Sequence, residues 1–223
     1  MKGEMKMKHY TEIAKKYKGV PVEDIPINDV WPCISQGYNK KLAKHIKVFN
    51  LPAGKSCPNC TDCYKECYAK KSEGFRKVVR NSRSRNFRLA KENPSLLKKY
   101  ILENVFDGNT VRIHESGDMF SQDYLDMWKE IVQSRPKTVF YTYSKTLDMW
   151  NWSKIKALSN FHVVPSIING EKNFGPEKEI QEKARKWKLP VCPCKKGVKV
   201  VCGTECKICQ TGEGDNGVLF HKH

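Results

Sequence analysis

The chain has 223 residues, enough for one core with a small appendage. Its mean hydropathy is −0.65, and no apolar run approaches the length of a membrane span, so we expect no membrane role. Lys and Arg number 41 against 24 Asp and Glu, a formal charge of +17. This charge favours a polyanionic partner such as nucleic acid, with a lysine-rich solubility surface as the alternative.

The first ten residues, MKGEMKMKHY, are basic and lack the apolar stretch of a secretory signal. The chain also contains ten cysteines. Without an export signal, cysteines at this density indicate metal ligands, because disulfides seldom persist in a reducing compartment. We therefore expect a cytoplasmic metal-binding protein.

The elements are predicted as follows in chain order. Residues 1–45 indicate a loosely structured entry segment, and a short strand over 45–51 ends at Pro-Ala-Gly. Residues 74–104 predict a helix in two pieces divided at Asn93-Pro94. Strands are then predicted over 110–115, 137–143, 161–168 and 189–191. Helices are predicted over 124–132, with Ser121 as N-cap, and over 147–158 and 177–187.

Strands that alternate with helices at this spacing indicate βαβ units and a parallel sheet. The units are too few to close an eightfold barrel. We predict an α/β fold, either a partial, open βα barrel or a mostly parallel sheet, with a C-terminal cysteine-rich metal-binding appendage. The predicted divisions are an N-terminal segment (1–45), a core that includes the first cysteine loop (46–191), and the cysteine-rich region (192–223).

Four cysteines lie close together in the spacing C-x2-C-x2-C-x3-C. Bacterial ferredoxins space the ligands of a [4Fe–4S] cluster in this way, usually with a proline directly after the motif. Zinc sites more often separate two short cysteine pairs by a dozen or more residues. The motif therefore favours an iron–sulfur cluster over zinc or a disulfide knot. The predicted ligands are Cys57, Cys60, Cys63 and Cys67.

Five more cysteines lie in the C-terminal region and predict a second metal site with one cysteine in surplus. Either another [4Fe–4S] cluster or a four-thiolate zinc suits such loops. The predicted ligands are Cys192, Cys202, Cys206 and Cys209, with Cys194 as the alternative to Cys192. Cys33 stands apart and is predicted to be a buried thiol.

Polar residues follow the strand that begins at residue 110. Alternation along it places Arg112, His114 and Ser116 on one face of the sheet. Because α/β folds build sites at the C-terminal ends of parallel strands, His114, Glu115 and Asp118 are candidates for ligand binding or proton transfer. The alternative is structural, with Asp118 as a helix cap and His114 as a core residue.

The segment 76–88 is rich in arginine and contains no acid. Arginine forks suit phosphate oxygens, and Phe75 or Phe87 can stack on a base. We predict a nucleic-acid-binding face, with a solvated helix face or a counter-charge for an anionic cluster as the alternatives. The candidate residues are Arg76, Arg80, Arg83, Arg85 and Arg88.

The order of these segments resembles a phage and mobile-element family described as gene-product-eighty-eight-like. The shared pieces are Cys57-Pro58 leading to Cys67-Tyr68-Ala69, the run from Arg112 to Ser121, the aromatic strand 140–144, and the ending from Cys192-Pro193 through Cys202, Cys206 and Cys209 to Phe220-His221. The resemblance runs from about residue 45 to the end. It implies phage origin, and hence a host cytoplasm, together with metal binding.

A second resemblance is to radical-SAM proteins. Some of them end their cluster loop in Cys-Tyr-Ala after the first strand and have a Gly-Gly-Glu-like motif after the second. Here Ser116-Gly117-Asp118 occupies that later place, which implies contact with the amino group of S-adenosylmethionine. Ser144 and Ser166, at the ends of the next two strands, are further candidates for cofactor contacts.

The cysteine spacing departs from the radical-SAM pattern, since x2-then-x3 replaces x3-then-x2. A fourth thiol would also close the iron that S-adenosylmethionine needs. If Cys57, Cys63 and Cys67 alone are the ligands, that iron is open.

Three functions are therefore weighed. The first is a phage-type iron–sulfur protein that binds or acts on nucleic acid, with radical-SAM-like chemistry if it is an enzyme. The second is a non-catalytic iron–sulfur or zinc module that binds nucleic acid. The third is a host-takeover or anti-defence factor that binds a protein or ribonucleoprotein. Walker, Gly-x-Ser-x-Gly and His-Glu-x-x-His motifs are absent from the sequence, which disfavours hydrolases and nucleotide motors.

Overall fold

The computed structural model describes residues 10–36, 42–60, 62–168, 171–194 and 200–221. Parts of the predicted N-terminal and C-terminal regions, 1–9, 37–41, 195–199 and 222–223, lie outside the described residues. The helices are 10–16 (α1), Tyr68–Phe75 (α2), Lys77–Glu92 (α3), Pro94–Asn104 (α4), Gln122–Gln133 (α5), Ser153–Lys156 (α6) and Glu177–Trp187 (α7). The strands are Ile34–Gln36 (β1), Ile46–Phe49 (β2), Thr110–Ile113 (β3), Val139–Ser144 (β4), Phe161–Pro165 (β5), Ile167–Ile168 (β6), Glu171–Lys172 (β7), Phe174–Gly175 (β8) and Phe220–His221 (β9).

Five strands form one sheet in the order β1-β2-β3-β4-β5. The edge strand β1 runs antiparallel to β2, whereas β2 to β5 are parallel to one another. The fold is therefore α/β with a mixed, mostly parallel sheet, which confirms the prediction at this level. Because β2 to β5 follow one another in chain order, their C-terminal ends lie side by side at one edge.

Alternation along the strands divides their side chains between two cores. One face packs against helices α3, α4 and α5 in the main core, and helical residues such as Leu89, Ile101 and Trp128 are fully buried there. The opposite face is covered in part by the C-terminal region. Its smaller core contains Ile46, Val48 and Tyr141 from the strands, with Val201, Cys202 and Cys209 packed on them.

Local sequence explains the boundaries of the helices on the main face. The Asn93 side chain accepts a hydrogen bond from the amide of Leu96 at 3.1 Å, and Pro94 begins α4, as predicted. Ser121 caps α5 by accepting from the amide of Tyr124 at 3.2 Å, also as predicted. In the ranges that the structure describes, no helix combines the length and the apolar character that crossing a bilayer requires.

The region after β4 differs from the prediction. The helix predicted over 147–158 is only the short α6, because two indole groups hold the preceding residues in turns. Trp150 Nε1 donates to the carbonyl of Met119 at 2.9 Å, and Trp152 Nε1 donates to the carbonyl of Thr146 at 3.0 Å. The strand predicted over 161–168 divides into β5 and β6, and β6 pairs with β7. The strand predicted over 189–191 is an isolated bridge between Val191 and Leu219.

The described part of the N-terminal segment is more ordered than the expected loose entry segment. Ile25 and Val30 are buried in the main core, and β1 extends the sheet. Arg88 on α3 fixes this segment, since its Nη1 atom donates to the carbonyls of Val22 and Ile25 at 2.6 and 2.5 Å. Arg88, predicted to contact nucleic acid, is thus engaged inside the protein.

Candidate functional site

The first cysteine loop directly follows β2 and lies at the C-terminal edge of the parallel strands. Hydrogen bonds fix it to the ends of the next two strands. The amide of Asp118 donates to the Ser56 carbonyl at 3.0 Å, and the Asn59 side chain donates to the Lys145 carbonyl at 2.8 Å. The loop is therefore held against the edge where α/β folds build their sites.

Gly117 makes this close approach of loops feasible. Its φ is +93°, and a Cβ there would lie 2.6 Å from both the Leu51 Cβ and the Ser56 Oγ. Only glycine combines that backbone angle with the absence of a side chain. Gly117, predicted to contact S-adenosylmethionine, thus has a structural function between the first cysteine loop and the end of β3.

The thiols of the first loop lie within electrostatic reach of one another. Burial raises the pKa of Cys57 to about 12, and the neighbouring Asp118, Cys60 and Cys67 add to this effect. Burial also raises the pKa of Cys60, whose thiol is hydrogen-bonded with that of Cys63. Cys67 immediately precedes α2, where the helix dipole favours negative charge. A metal cation would supply the charge that stabilises the thiolate of a buried cysteine such as Cys57.

The second cysteine group lies against the face of the sheet opposite the main helices. Its four predicted ligands line one small cavity, partly open to solvent, together with two tyrosines of β4. Cys194 is buried but does not line this cavity, so the arrangement favours Cys192 over Cys194. The cysteine and tyrosine lining residues are Cys192, Cys202, Cys206, Cys209, Tyr141 and Tyr143.

A close backbone approach positions this second group. Gly203 has a φ of +98°, and a Cβ there would lie 2.6 Å from Cδ1 of Ile46 on β2. The Cys202 carbonyl accepts a hydrogen bond from the amide of Ala43 at 2.9 Å, and the amide of Gly203 donates to the Cys206 carbonyl at 2.8 Å. The cysteine loop thus packs directly on the sheet.

The cavity contains four thiols, the ligand type of zinc and iron–sulfur sites. Burial raises the pKa of Cys192 to about 11 and that of Cys209 to about 12, so these thiols are protonated at neutral pH until a cation stabilises the thiolates. The Tyr143 hydroxyl is hydrogen-bonded with the Cys209 sulfur. Among the described residues, no group of three or more His, Cys, Asp or Glu side chains is placed so that it could hold a metal ion.

His114 does not share a face with Arg112, which corrects the prediction. Its φ is +66°, so the alternation of the strand ends there and the imidazole turns toward α5. Its Nε2 lies 2.9 Å from the Tyr124 hydroxyl, and the two rings stack with centroids 5.8 Å apart. Burial lowers the pKa of His114 to about 3, so the ring is neutral.

Asp118 is a buried hydrogen-bond acceptor that joins two strand ends. Its Oδ1 accepts from the Ser144 hydroxyl and the Met119 amide, each at 2.8 Å, and its Oδ2 accepts from the Lys145 amide at 2.9 Å. Burial raises its pKa, and these hydrogen bonds act in the opposite direction. Ser144, a predicted cofactor contact, is therefore bonded to Asp118, and α5 is capped by Ser121 instead of Asp118.

The remaining candidates at this edge have different partners. Glu115 lies 3.6 Å from the Arg112 guanidinium, so His114, Glu115 and Asp118 each contact a different group. Ser116 is buried, and its amide donates to the Asn50 side chain at 3.0 Å. Ser166 is half-buried, and its amide donates to the Ser144 carbonyl at 2.8 Å.

Two arginines of α3 that were predicted to bind nucleic acid are engaged within the protein. Arg83 Nη1 lies 2.8 Å from Oε1 of Glu73, and these side chains are only 9% and 14% exposed. The same Glu73 oxygen accepts from the amide of Ala53 in the first cysteine loop at 2.9 Å. Arg85 donates to the Trp31 carbonyl at 3.0 Å and stacks 4.1 Å from the indole ring.

The other two arginines lie on an exposed surface beside the first cysteine loop. Arg76 and Arg80 are exposed, and they are accompanied by Phe75 at 91% exposure, Val78 at 82% and Tyr68 at 64%. We call these five residues the basic-aromatic edge. A nucleic-acid face in this region would depend on Arg76 and Arg80.

Sequence reasoning missed three groups that shape the two sites. Tyr141 was not singled out, although its spacing of two from Tyr143 places both side chains on one face of β4. Asn86 was read as part of a charged helix, but its side chain bonds the backbone of Cys33 and the Asn50 carbonyl. Nothing local in the sequence marks Glu73 as the partner of Arg83.

A family profile described as Gene product 88 matches residues 32–202 of the chain. The chain belongs to the Gene product 88 family. This confirms the first resemblance found in the sequence, and the matched range contains the first cysteine loop and the whole parallel sheet.

Two relatives are phage proteins. The "Gene 88 protein" of Mycobacterium phage L5 is 33% identical over 109 residues, which cover 43% of this chain and 46% of that protein. The "Gene 88 protein" of Mycobacterium phage D29 is 30% identical over 124 residues, which cover 49% and 52%. The chain thus spans about half the length of these relatives. No solved structure matches this member of the Gene product 88 family.

Replacing Arg83 by Met should destabilise the protein by about 3–5 kcal/mol, because Glu73 would remain buried without its counter-charge. The matched change Arg80→Met, on the exposed side of the same helix, should shift stability by no more than about 0.5 kcal/mol. Chemical denaturation of both variants measures the difference. Equal destabilisation by the two changes would contradict the assignment of Arg83 to the interior.

His114 should make the protein less stable as the pH falls from 6.5 toward 3. The unfolded chain binds a proton at this imidazole below its ordinary pKa of about 6.5, whereas the folded protein does not until about pH 3. The free energy of unfolding should fall by up to about 1.4 kcal/mol per pH unit from this group.

His114→Asn removes the titrating group, and asparagine tolerates a positive φ. Denaturant unfolding at pH 7, 6 and 5 should give a shallower pH dependence for the variant than for the unmodified protein. Parallel curves would show that His114 is not the neutral buried imidazole described above.

Proposed function

We propose that the protein is an iron–sulfur protein whose first cluster, of the [4Fe–4S] type, is held by the cysteine loop after β2. The observation that supports this most is the fixation of a loop with ferredoxin spacing to the ends of two adjacent parallel strands. The predicted ligands are Cys57, Cys60, Cys63 and Cys67. When bound, such a cluster supplies one-electron transfer.

In this proposal the C-terminal region is a second metal-binding unit. The sheet is an open βα barrel, and the C-terminal region covers its inner face. The cavity lined by Cys192, Cys202, Cys206 and Cys209 supports the second centre. Four thiolates suit zinc as well as an iron–sulfur cluster. Radical-SAM-like chemistry at the first cluster stays a prediction. Two of the residues predicted for it, Ser144 and Asp118, are hydrogen-bonded to each other.

The oxygen-protected protein should contain iron and acid-labile sulfide, about four of each per cluster. Cys63→Ser should remove one cluster's iron and sulfide, because a serine hydroxyl is a poor ligand for the soft iron–sulfur core. Iron and sulfide analysis with absorption spectroscopy measures both.

The matched control is Cys33→Ser. Cys33 belongs to neither group and is half-buried, with its backbone bonded to Asn86, so its replacement should leave the iron content unchanged. Zinc without sulfide in the unmodified protein, or equal iron in the two variants, would remove the iron–sulfur proposal.

A second function, nucleic-acid binding, is favoured by the basic-aromatic edge. Arg76 and Arg80 can neutralise phosphates, while Phe75 and Tyr68 offer exposed rings on which bases can stack. Exposed bases are available in single strands, so this edge suits single-stranded DNA or RNA better than duplex. A protein or ribonucleoprotein partner, the host-takeover hypothesis, stays a prediction.

Affinity for a single-stranded oligonucleotide should fall with salt. The double change Arg76→Ala with Arg80→Ala should make the slope of log K against log salt less steep by about 1.4, since each lost phosphate contact accounts for about 0.7. Fluorescence anisotropy at several salt concentrations measures the slope.

The control is the double change Lys154→Ala with Lys156→Ala, which removes the same charge from exposed positions on α6. It should leave the slope nearly unchanged. An identical effect of both double changes would mean that net charge alone, and not this edge, determines binding.

A further inference from the structure

The Tyr141 hydroxyl is a buried donor that the described residues do not satisfy. Tyr141 is 1% exposed and packs in the core between the sheet and the C-terminal region. Its hydroxyl has no hydrogen-bond partner within the described part of the chain. Leaving such a group unpaired costs about 1–3 kcal/mol. The same side chain lines the cavity of the second cysteine group, so the missing acceptor belongs in that cavity.

Arg112 carries a positive charge on the same face of the sheet as Tyr141. It lies directly opposite Tyr141 in the register of β3 and β4, and its guanidinium stacks 4.9 Å from the Tyr143 ring. Its Nε is buried and, among the described residues, has no hydrogen-bond partner. Glu115 compensates the charge only at 3.6 Å. The cavity wall thus contains the Tyr141 hydroxyl, unpaired among the described residues, and the Arg112 charge lies outside the wall, in contact with the Tyr143 ring.

The acceptor that fits this wall is anionic sulfur. The Tyr143 hydroxyl is already hydrogen-bonded with the Cys209 sulfur, which leaves the Tyr141 hydroxyl and the Arg112 charge for further acceptors. A zinc centre brings no sulfur beyond that of the cysteines, whereas an iron–sulfur cluster adds inorganic sulfides that accept hydrogen bonds. An iron–sulfur cluster therefore offers these donors more acceptors than zinc does.

We propose that the second centre is an iron–sulfur cluster whose sulfur accepts a hydrogen bond from Tyr141, with Arg112 as its counter-charge. This inference rests on the proposed iron–sulfur function. Reduction adds one electron to the cluster, so a donor and a cation beside it stabilise the reduced form and raise its reduction potential. Tyr141 and Arg112 are positioning residues that tune the cluster without ligating it.

The test is Tyr141→Phe, which removes one oxygen atom and keeps the ring. In the oxygen-protected protein, iron and sulfide should stay at the unmodified level. In a dithionite titration followed by EPR, the electron passes from dithionite to the cluster and no bond is made or broken. The equilibrium constant for reduction of one of the two clusters should fall about tenfold. For a one-electron couple this corresponds to a reduction potential lower by about 59 mV.

The matched control is Tyr124→Phe. Tyr124 is an equally buried tyrosine on the other side of the sheet, where its hydroxyl bonds His114. Its replacement should shift neither potential. Arg112→Gln provides a second test that keeps the cavity wall intact, and it should lower the same potential, whereas Arg112→Lys retains the charge and should lower it less.

Several results would overturn the inference. A fully loaded Tyr141→Phe protein with both potentials unchanged would do so, as would zinc at the second site beside iron at the first. Should Tyr141→Phe lose its cluster, an unchanged potential in Arg112→Gln would overturn it. These outcomes leave the first cluster in place, whereas a protein without iron would refute the proposed function itself.

Discussion

The buried carboxylate of Asp118 is the interaction on which the functional edge of the sheet depends. The carboxylate accepts hydrogen bonds from Ser144 and Lys145 at the end of β4, and the Asp118 backbone amide donates to the loop after β2. Three consecutive strand ends therefore meet at one residue. Removal of one of these donors would destabilise the fold, because a buried carboxylate oxygen without a hydrogen-bond donor has a high energetic cost. Asp118 therefore holds in place the residues against which the first cysteine loop packs, and Gly117 allows these residues to contact the loop directly.

Strand alternation produces the second constraint. Each parallel strand gives one set of side chains to the helices and the other set to the cysteine-rich region, so the sheet separates an apolar core from a face that contains Arg112, Tyr141 and Tyr143. The two cysteine groups consequently have different surroundings. One lies at the edge of the sheet beside exposed aromatic and basic residues, and the other lies beneath a loop and is shielded by tyrosines.

The sequence predicted what depends on local chemistry. Period-two patterns located the parallel strands. The helix break at Asn93-Pro94 and the cap at Ser121 were predicted correctly because both depend on neighbouring residues. The face of His114 was wrong because a positive φ ends the alternation one residue after β3. The interior position of Arg83 and the indole bonds of Trp150 and Trp152 depend on partners that only the tertiary fold brings near. The metal ligands inferred from the cysteine spacings stay predictions, and the pairing of Tyr141 with Arg112 is known only from the sheet register.

The packing of the C-terminal loop on β2 gives the two cysteine groups an order of formation. The supports of the first loop are complete once the chain has been synthesised as far as Lys145. The second cavity needs residues 202–209 to return across the sheet, where Gly203 contacts Ile46. During synthesis, the contacts that support the first cysteine loop can thus form before the second cysteine group reaches the sheet.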